Sequence, residues 1–304
     1  MKLLVIGREG QLARALAEAR RPADLDLACV GRPDVDLTKS DSLARAIDRV
    51  RPELIVNAAA YTLVDKAEDE EALAFAVNAD GVGALGQAAA ERGVPVIHVS
   101  TDYVYDGSKL SGYVESDPTA PLGAYGRSKL AGEQQLAAAQ PQHVILRTAW
   151  VYAPYGTNFA RTMLRLGGER SVLRVVADQI GNPTYAPHLA DAILEVAAGV
   201  RASPTSPVWG VYHASGTGET SWHGFAERIF ADAAKYGMAE PRVDPITTAD
   251  YPTPAARPAN SRLDCGKLNS VFGVTLPDWT KGVSEFASRT IGHARAEPAH
   301  GAIH

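Results

Sequence analysis

Short apolar runs alternate with longer stretches of helix-forming residues along the first half of the chain. The apolar runs predict strands over Lys2–Ile6, Asp26–Val30, Leu54–Asn57, Val94–Ser100 and His143–Arg147. The stretches between them predict helices over Gln11–Arg20, Ser42–Arg49, Asp69–Arg92 and Ser128–Ala139. Continuous β-branched runs separated by helices indicate a parallel sheet covered on both faces. The pattern therefore predicts an α/β fold with a doubly wound parallel sheet of the Rossmann type, whose ligand crevice lies at the carboxyl ends of the strands.

The second half of the chain is less regular, and Pro and Gly are frequent from Ala202 to Asn260. We expect residues 1–149 to form a dinucleotide-binding domain and residues 150–292 to form mostly a smaller C-terminal substrate-binding lobe. A segment near residues 178–199 is expected to return to the sheet of the first domain. The polar, alanine-rich end of the sequence, residues 293–304, is expected to be a flexible tail.

Composition narrows the class of protein. Of the 304 residues, 46% are hydrophobic and 21% are charged, which is ordinary for a globular chain with a sizeable core. The net charge of −5 argues against a nucleic-acid partner. No apolar run approaches the roughly 20 residues of a membrane span, and the N-terminal run is too short for a signal peptide. Because Cys29 and Cys265 are the only cysteines, we predict a cytoplasmic protein without a disulfide framework. The sequence has no Cys/His cluster with metal-ligand spacing, so no metal site is predicted.

A glycine-containing turn follows the first predicted strand and opens the first predicted helix. Gly7 and Gly10 would let backbone amides approach a pyrophosphate, which a helix N-terminus favours. The third position of the usual glycine pattern is Ala13, which is still small enough for close packing of the helix on the strand. Gln11 and Leu12 complete the candidate cofactor-binding turn. A plain strand–helix turn is the alternative interpretation of this fragment alone.

Further candidate cofactor contacts follow the second and third predicted strands. Arg32 could meet the 2′-phosphate of NADP, or it could be a solvated arginine. Asp36 and Leu37 could hold the adenine end, or Asp36 could cap a turn. Four residues lie where a dinucleotide would cross the sheet edge: Ala59, Ala60, Tyr61 and Thr62. Alternatively, the alanines only pack against helices.

The sequence contains two Tyr-x-x-x-Lys spacings, Tyr125/Lys129 and Tyr105/Lys109. Residues four apart share a face only on a helix. The residues between Tyr105 and Lys109 are Asp-Gly-Ser, which favour a turn. Lys129, in contrast, is followed by a run of helix formers, so Tyr125 and Lys129 are predicted to project together from the start of a helix.

Several segments match the motifs of a known enzyme family in the expected order. They are Gly7-x-x-Gly10-Gln11-Leu12, Asn57-Ala-Ala-Ala-Tyr-Thr-x-Val-Asp65, Ser100-Thr-Asp-Tyr-Val-Tyr-Asp-Gly107, Tyr125-Gly-x-x-Lys129, Arg147-Thr-Ala-Trp150 and Arg257-Pro-Ala-Asn260-Ser. On these motifs the sequence resembles the extended short-chain dehydrogenase/reductase family. The Thr-Asp-Tyr-Val-Tyr and Arg-Pro-Ala-Asn-Ser segments are more specific than the glycine pattern.

The resemblance implies an NAD(P)H-dependent reductase that acts on the C4 carbonyl of a dTDP-linked 4-dehydro sugar, with NADPH or NADH as cofactor. Tyr125 would donate its phenolic proton to the C4 oxygen, and Thr101 would orient the carbonyl. Lys129 would bind the nicotinamide ribose and lower the pKa of Tyr125. The implied substrate contacts besides Thr101 and Tyr125 are Asp102, Trp150 and Asn260. From the residue types alone, Asp102 would be a turn former, Trp150 a core aromatic and Asn260 a surface loop residue.

The sequence also leaves other functions open. A nucleotide-sugar epimerase or dehydratase shares the tyrosine and lysine, although dehydratases usually have Asp-Glu where Asp102-Tyr103 follows Thr101. A non-catalytic NADP-binding regulatory subunit is an alternative from another class. Some family members dimerise through a metal held partly by the first helix, where this chain has Ala15. We therefore expect a monomer or homodimer without a bridging metal.

Overall fold

The computed structural model describes residues 1–202 and 208–292, so the predicted flexible tail lies outside the described residues. The strands are β1 Lys2–Ile6, β2 Asp26–Val30, β3 Leu54–Asn57, β4 Val96–Thr101, β5 His143–Thr148, β6 Val151–Tyr152, β7 Val172–Val176, β8 Ile180–Gly181, β9 Thr184–Tyr185, β10 Gly210–His213, β11 Thr220–Ser221, β12 Arg242–Ile246 and β13 Asn260–Ser261. The α-helices are α1 Gln11–Glu18, α2 Ser40–Val50, α3 Glu71–Phe75, α4 Gly81–Ala90, α5 Ala124–Ala139, α6 Phe159–Glu169, α7 Ala186–Ala202, α8 Trp222–Ala234, α9 Gly266–Phe272 and α10 Trp279–Ala287.

A six-stranded parallel sheet with the order β10-β5-β4-β3-β1-β2 forms the main sheet of the described chain. Strands β1, β2 and β3 have the predicted bounds, and β4 and β5 each end one residue later than predicted. The chain moves outward from β1 in both directions, and the point of reversal is where doubly wound sheets bind their ligands. The predicted doubly wound α/β fold is confirmed.

Helices cover both faces of this sheet. Alternate residues of β1 point to opposite sides, with Leu3 and Val5 in the core beneath α1 and α7, and Leu4 and Ile6 in the core beneath α2 and α4. This two-sided burial explains why the first strands are continuously apolar. Within residues 1–202 and 208–292, no helix is long and apolar enough to cross a membrane.

The single helix predicted over residues 69–92 is divided into α3, a π-helical turn at Ala76–Asp80, and α4. The turn lies where α5 crosses this helix, and a Cβ atom on Gly132 of α5 would lie only 1.9 Å from the Asn78 carbonyl oxygen. The Asn78 side chain also hydrogen-bonds the backbone of Tyr61 and the hydroxyl of Ser128. The extra residue of the π-turn therefore belongs to a tertiary contact that helix propensity does not encode.

A second hydrophobic core lies around α6, α8 and α10 and contains Tyr152, Phe225 and Phe286. The segment 178–199, predicted to return to the sheet, supplies no strand to it: most of the segment is α7, which packs on α1. The strand that returns is β10, which pairs in parallel with β5. Its four residues, Gly-Val-Tyr-His, do not form the continuous apolar run that marks the other strands of the sheet.

Candidate active site

Thr101 ends β4, and a 3₁₀ turn over Asp102–Val104 follows it. The Thr101 hydroxyl accepts a hydrogen bond from the Tyr103 N–H at 3.2 Å and donates one to Asp102 Oδ1 at 3.0 Å. Thr101 is thus the N-cap of the turn, which fixes its side chain at the carboxyl end of the strand. Both Thr101 and Asp102 are buried.

Tyr125 and Lys129 lie four residues apart in the first turns of α5, as predicted. The helix begins at Ala124, before the predicted Ser128, and the Glu68 carboxylate accepts a hydrogen bond from the Ala124 N–H at 2.9 Å. A Cβ atom on Gly126 would lie 2.2 Å from the Tyr103 carbonyl oxygen, so only glycine permits this approach of α5 to the 3₁₀ turn. The rings of Tyr103 and Tyr125 consequently pack edge to face, with centroids 5.5 Å apart.

The phenol of Tyr125 is a weaker acid here than the resemblance implies. Burial raises the pKa of Tyr125 to about 12, a hydrogen bond with the Thr101 side chain opposes this rise, and the charge of Asp102 adds to it. Lys129 is not among the described groups that act on this pKa. The Lys129 Nζ atom is directed to the Val99 carbonyl oxygen, at 2.7 Å, rather than to the phenol.

Lys129 is one of the most deeply buried charged side chains described, with 1% of its surface exposed. Burial lowers the pKa of Lys129 to about 8, against an opposing effect of the Glu133 carboxylate. Its second neighbour is His98 of β4, whose Nε2 atom lies 3.2 Å from Nζ. A lysine in this environment exchanges its proton near neutral pH, which suits a group that takes part in proton transfer.

Asp102 is a buried acid beside the reactive groups. Burial raises the pKa of Asp102 to about 6, although hydrogen bonds from Ser261 and Thr101 act in the opposite direction. Only 3% of its surface is exposed. A carboxyl group held next to Thr101 and Tyr125 in this way can gain or lose its proton within the pH range in which enzymes work.

A turn that contains Gly7 and Gly10 joins β1 to α1. Gly7 has φ +134°, and a Cβ atom there would lie 3.1 Å from the Ala13 Cβ, so Ala13 packs closely on the turn. A Cβ on Gly10, the N-cap of α1, would have no atom within 4 Å, which leaves open space beside the helix N-terminus. Backbone N–H groups at a helix start lack intrahelical acceptors and bind anions. The Gln11 side chain accepts a hydrogen bond from Asn158, and Leu12 is buried.

Two exposed arginines lie close together here: Arg8 in this turn and Arg32 after the end of β2. Arg32 precedes a cis-proline, and Gly31 packs against Arg8, which sequence reasoning did not single out. Arg8 also forms an ion pair with Asp34 at 3.6 Å. Together, Arg8 and Arg32 offer positive charge where a 2′-phosphate would lie beside the second strand. Arg8 immediately follows the first glycine of the motif, which is the signal that could have identified it.

The residues predicted at the adenine end have protein partners. Asp36 Oδ1 accepts hydrogen bonds from the backbone N–H and the hydroxyl of Thr38, at 2.9 and 2.8 Å, so the carboxylate caps a turn. Leu37 is buried, and its carbonyl oxygen lies close to Gly81 at the start of α4. Both residues follow β2, on the same edge of the sheet as Arg32.

The segment after β3 is held by two asparagines. Asn57 Oδ1 accepts a hydrogen bond from the Ala59 N–H, and Asn78 Oδ1 accepts one from the Tyr61 N–H. The Tyr61 hydroxyl donates to Glu70 at 2.6 Å, which raises the pKa of Tyr61 to about 12. Ala59 and Ala60 are half-buried and Thr62 is exposed, so these residues line the surface at the carboxyl end of β3.

Comparison with known proteins identifies the family. The family model described as the RmlD substrate binding domain matches residues 1–291. A dTDP-4-dehydrorhamnose reductase of Sinorhizobium fredii is 50% identical over 279 residues, which cover 92% of this chain and 94% of that protein. The chain belongs to the dTDP-4-dehydrorhamnose reductase family. The family resemblance inferred from the sequence motifs is thereby confirmed.

Other members of the dTDP-4-dehydrorhamnose reductase family are similar over nearly the whole chain. The Escherichia coli K12 reductase is 44% identical over 289 residues, with 93% of this chain and 96% of that protein covered. The crystal structure of the Bacillus anthracis reductase in complex with NADP is 36% identical, with a TM-score of 0.88, and the match covers 95% of this chain and 99% of that chain.

Trp150 has a strained backbone in this member of the reductase family. Its φ of +47° is unusual for a residue other than glycine, and such strain is typical of functional sites. The indole stacks on Trp222 with ring centroids 3.5 Å apart. A Cβ atom on Gly181 would lie 2.5 Å from the indole, so the ring is held tightly by its own protein.

Asn260, the remaining predicted substrate contact, has its amide engaged within the protein. Its Nδ2 atom donates to the carbonyl oxygens of Lys109 and Ser111, at 2.7 and 2.8 Å. Its Oδ1 atom accepts hydrogen bonds from the backbone and the guanidinium of Arg262. The structure therefore places Asn260 at the junction of two loops, where it holds the segment after Gly107 against β13.

A cavity of about 720 Å³ lies between the 3₁₀ turn and the second core. Its lining includes three aromatic and three basic side chains that were given no role from the sequence: Tyr103, Phe159, Trp222, Arg170, Arg174 and Arg257. The Arg257 Nη2 atom donates to both carboxylate oxygens of Asp65, each at 2.8 Å. Arg257 lies in the Arg-Pro-Ala-Asn motif and Tyr103 in the Thr-Asp-Tyr-Val-Tyr motif, so the motifs marked these two positions, whereas the other four have no signal in the sequence.

Proposed function

We propose that the protein reduces the C4 carbonyl of dTDP-4-dehydro-L-rhamnose to give dTDP-L-rhamnose, with NADPH or NADH as cofactor. The observation that carries the proposal is the meeting of Thr101 and Tyr125 at the carboxyl end of β4, with Lys129 one helical turn away. These are a carbonyl-orienting hydroxyl, a proton donor and a cation at the ligand-binding edge of a doubly wound sheet.

The residues present fit a nicotinamide dinucleotide. The open space at Gly10 and the left-handed region φ of Gly7 suit a pyrophosphate, and Arg8 and Arg32 suit the 2′-phosphate of NADPH. Lys129 has N–H donors beyond the one that the Val99 carbonyl binds, and these suit ribose hydroxyl groups. When bound, the cofactor supplies the hydride that the C4 carbon accepts.

Tyr125 gives its proton to the C4 oxygen as negative charge develops there. The Thr101 hydroxyl holds the same oxygen, and a donor of this type commonly contributes about 3 kcal/mol to the stability of the transition state. A Tyr125 phenolate is a strong base, since the pKa of Tyr125 is about 12. Lys129, with a pKa of about 8, is therefore able to return a proton to it between turnovers.

The sugar nucleotide occupies the cavity beside Tyr103. Its diphosphate faces Arg170, Arg174 and Arg257, because paired guanidinium groups bind phosphate oxygens well. The sugar ring lies near Asp102 and Trp150, because Tyr103 in the cavity wall packs against Tyr125 and Trp222 in the same wall stacks on Trp150. We also propose a cytoplasmic location, in which the free Cys29 and Cys265 would stay reduced.

The test is to mix the purified protein with NADPH and dTDP-4-dehydro-L-rhamnose and follow the absorbance of the reduced nicotinamide. Tyr125→Phe is expected to lower kcat by about 10²–10⁴-fold, the usual contribution of a general acid. Tyr212→Phe is the matched control, because that buried phenol on β10 donates to the Val208 carbonyl, away from Thr101 and Lys129. Absence of turnover with NADPH and NADH, in a protein that binds either dinucleotide, would refute the proposal and favour the epimerase or regulatory reading.

A further inference from the structure

Two carboxylates mark the ends of a short 3₁₀ turn, Lys66–Glu68, that lies between β3 and α3. Asp65 is the N-cap residue of the turn, and Glu68 is its last residue. Neither carboxylate has a role in the proposed function. Each one nevertheless binds a partner that is distant in sequence and belongs to the candidate active site: Arg257 or the start of α5.

The Glu68 carboxylate caps the helix that carries Tyr125. Gly123, the N-cap residue of α5, has no side chain that could bind the free N–H groups at the helix start. Glu68 Oε1 supplies that acceptor, 2.9 Å from the Ala124 nitrogen. A Cβ atom on Gly123 would lie 2.5 Å from the same Oε1 atom, so the glycine leaves the room that the carboxylate needs. Glu68 therefore fixes the backbone immediately before Tyr125.

The residue between the two carboxylates packs against the same helix. Ala67 is completely buried in a small core with Ala74 and Ala124, and Tyr125 packs on that core. The 3₁₀ turn is thus held to the start of α5 by apolar packing as well as by a hydrogen bond. The position of the turn and the position of Tyr125 are therefore linked.

Asp65 joins the other end of the turn to the segment that carries Arg257. Its two carboxylate oxygens accept from Arg257 Nη2, each at 2.8 Å, and Oδ1 also lies 3.3 Å from the Ala255 nitrogen. Arg257 lies outside any helix or strand, so regular structure does not fix its side chain. A guanidinium has five N–H donors, and those that Asp65 does not bind remain for a phosphate in the cavity that both residues line.

We propose that the turn from Asp65 to Glu68 sets the separation between the cation that binds the sugar-nucleotide diphosphate and the phenol that donates the proton. Asp65 is a positioning residue for Arg257, and Glu68 is a positioning residue for Tyr125. The inference rests on the proposed function, in which the diphosphate faces Arg257 and the C4 oxygen faces Tyr125. Because one short turn holds both groups, a diphosphate bound at Arg257 brings the C4 oxygen to the phenol.

The first test measures dTDP binding to the purified protein by isothermal titration calorimetry and needs no turnover. Asp65→Ala is expected to weaken binding by about 2–10-fold, because binding must then immobilise the Arg257 side chain. The variant is expected to fold, since Asp65 is 43% exposed and so exposed an ion pair contributes little to stability. If Asp65 were only a nearby negative charge, its removal would tighten the binding of an anion. Unchanged or tighter binding would therefore overturn the role of Asp65.

The double variant Asp65→Ala/Arg257→Ala separates an effect through Arg257 from a direct one. If Asp65 acts through the guanidinium, its removal does not weaken dTDP binding further in the Arg257→Ala background, and a full additional loss there would contradict the proposal. Wild-type protein that binds dTDP but turns nothing over would refute the proposed function and with it the role of Glu68. The binding cycle would still decide the role of Asp65, and wild-type protein that does not bind dTDP would overturn both.

The second test examines the other end of the turn in the reductase assay. Glu68→Ala is expected to lower kcat about 10-fold with little change in KM for the sugar nucleotide, since a small displacement of a reacting group is costly. Glu68→Gln should keep most of the wild-type kcat, because its amide oxygen can accept the same N–H.

Asp278→Ala is the matched control for Glu68→Ala, since it removes a carboxylate cap from α10, where Asp278 accepts from the Thr280 N–H at 2.9 Å. Its kcat should equal that of wild type. A wild-type kcat in Glu68→Ala would overturn the role of Glu68, and so would an equal loss in Glu68→Gln or in Asp278→Ala.

Discussion

Asp102 is expected to cost the protein stability at neutral pH, and Asp102→Asn removes that cost. Burial raises the pKa of Asp102 from 3.8 to about 6, so the folded protein binds this proton more tightly than the unfolded chain does. An acid with a raised folded-state pKa loses stability as the pH rises from its unfolded value to its folded value, and the loss is complete above that.

The size of the effect follows from the two pKa values. Proton linkage gives a stability cost of about 1 kcal/mol at pH 4.5 and about 3 kcal/mol at pH 7.5. Asp102 is 3% exposed, so solvent screening does not reduce the estimate much. Asn is nearly the same size and uncharged. Its amide could lack a partner, but that penalty is the same at both pH values and cancels in their difference.

The assay is urea unfolding followed by tryptophan fluorescence at pH 4.5 and 7.5. Relative to wild type, Asp102→Asn should gain about 2 kcal/mol more in unfolding free energy at pH 7.5 than at pH 4.5. Asp106→Asn is the control with the opposite sign, because backbone hydrogen bonding from Ser108 lowers the pKa of Asp106. An Asp102→Asn difference that does not change with pH would refute the reasoning. Activity should fall in the same variant, which would make Asp102 a case of stability given up for function.

The remaining predictions concern one structural ion pair and one proposed cofactor contact. Arg147 and Glu133 are both about 95% buried and joined by three short contacts, so Arg147→Met should lower the unfolding free energy by about 3–5 kcal/mol. The double variant Arg147→Met/Glu133→Met should recover most of that loss in urea unfolding, and a single variant of wild-type stability would contradict the prediction. Arg32→Ala should raise KM for NADPH about 10-fold or more while KM for NADH changes little, since a charged hydrogen bond to phosphate contributes about 1.5–3 kcal/mol. An unchanged ratio of the two KM values would show that Arg32 does not contact the 2′-phosphate.

The sheet was predictable because burial on both faces leaves a strong and simple signal. The bounds of β1, β2 and β3 follow from apolar runs that end at Gly, Pro or Asn, and no distant partner is needed to define them. The choice between the two tyrosine–lysine spacings also followed from local chemistry. Tyr105 and Lys109 lie outside any helix, whereas Tyr125 and Lys129 share α5.

Features set by distant contacts were not predictable. The start of α5 depends on Glu68, and the π-turn depends on the close approach of Gly132 to Asn78. Nor does the sequence show that burial governs the pKa of Tyr125, or that the Val99 carbonyl binds Lys129. Sequence spacing reports which residues share a helix face, but it does not report what lies opposite them.

The late return of β10 has a consequence for the order in which a growing chain can fold. Strand β5 pairs with β4 on one side, and its other side is covered only by β10, about sixty residues later. While a ribosome synthesises the intervening segment, β5 is an open edge able to pair with other chains. The sheet is complete only when β10 has been added. That strand contains Tyr212, whose side chain is 1% exposed in the folded protein. The main sheet is thus finished only after α6 of the second core has been synthesised, and before α8 and α10 are.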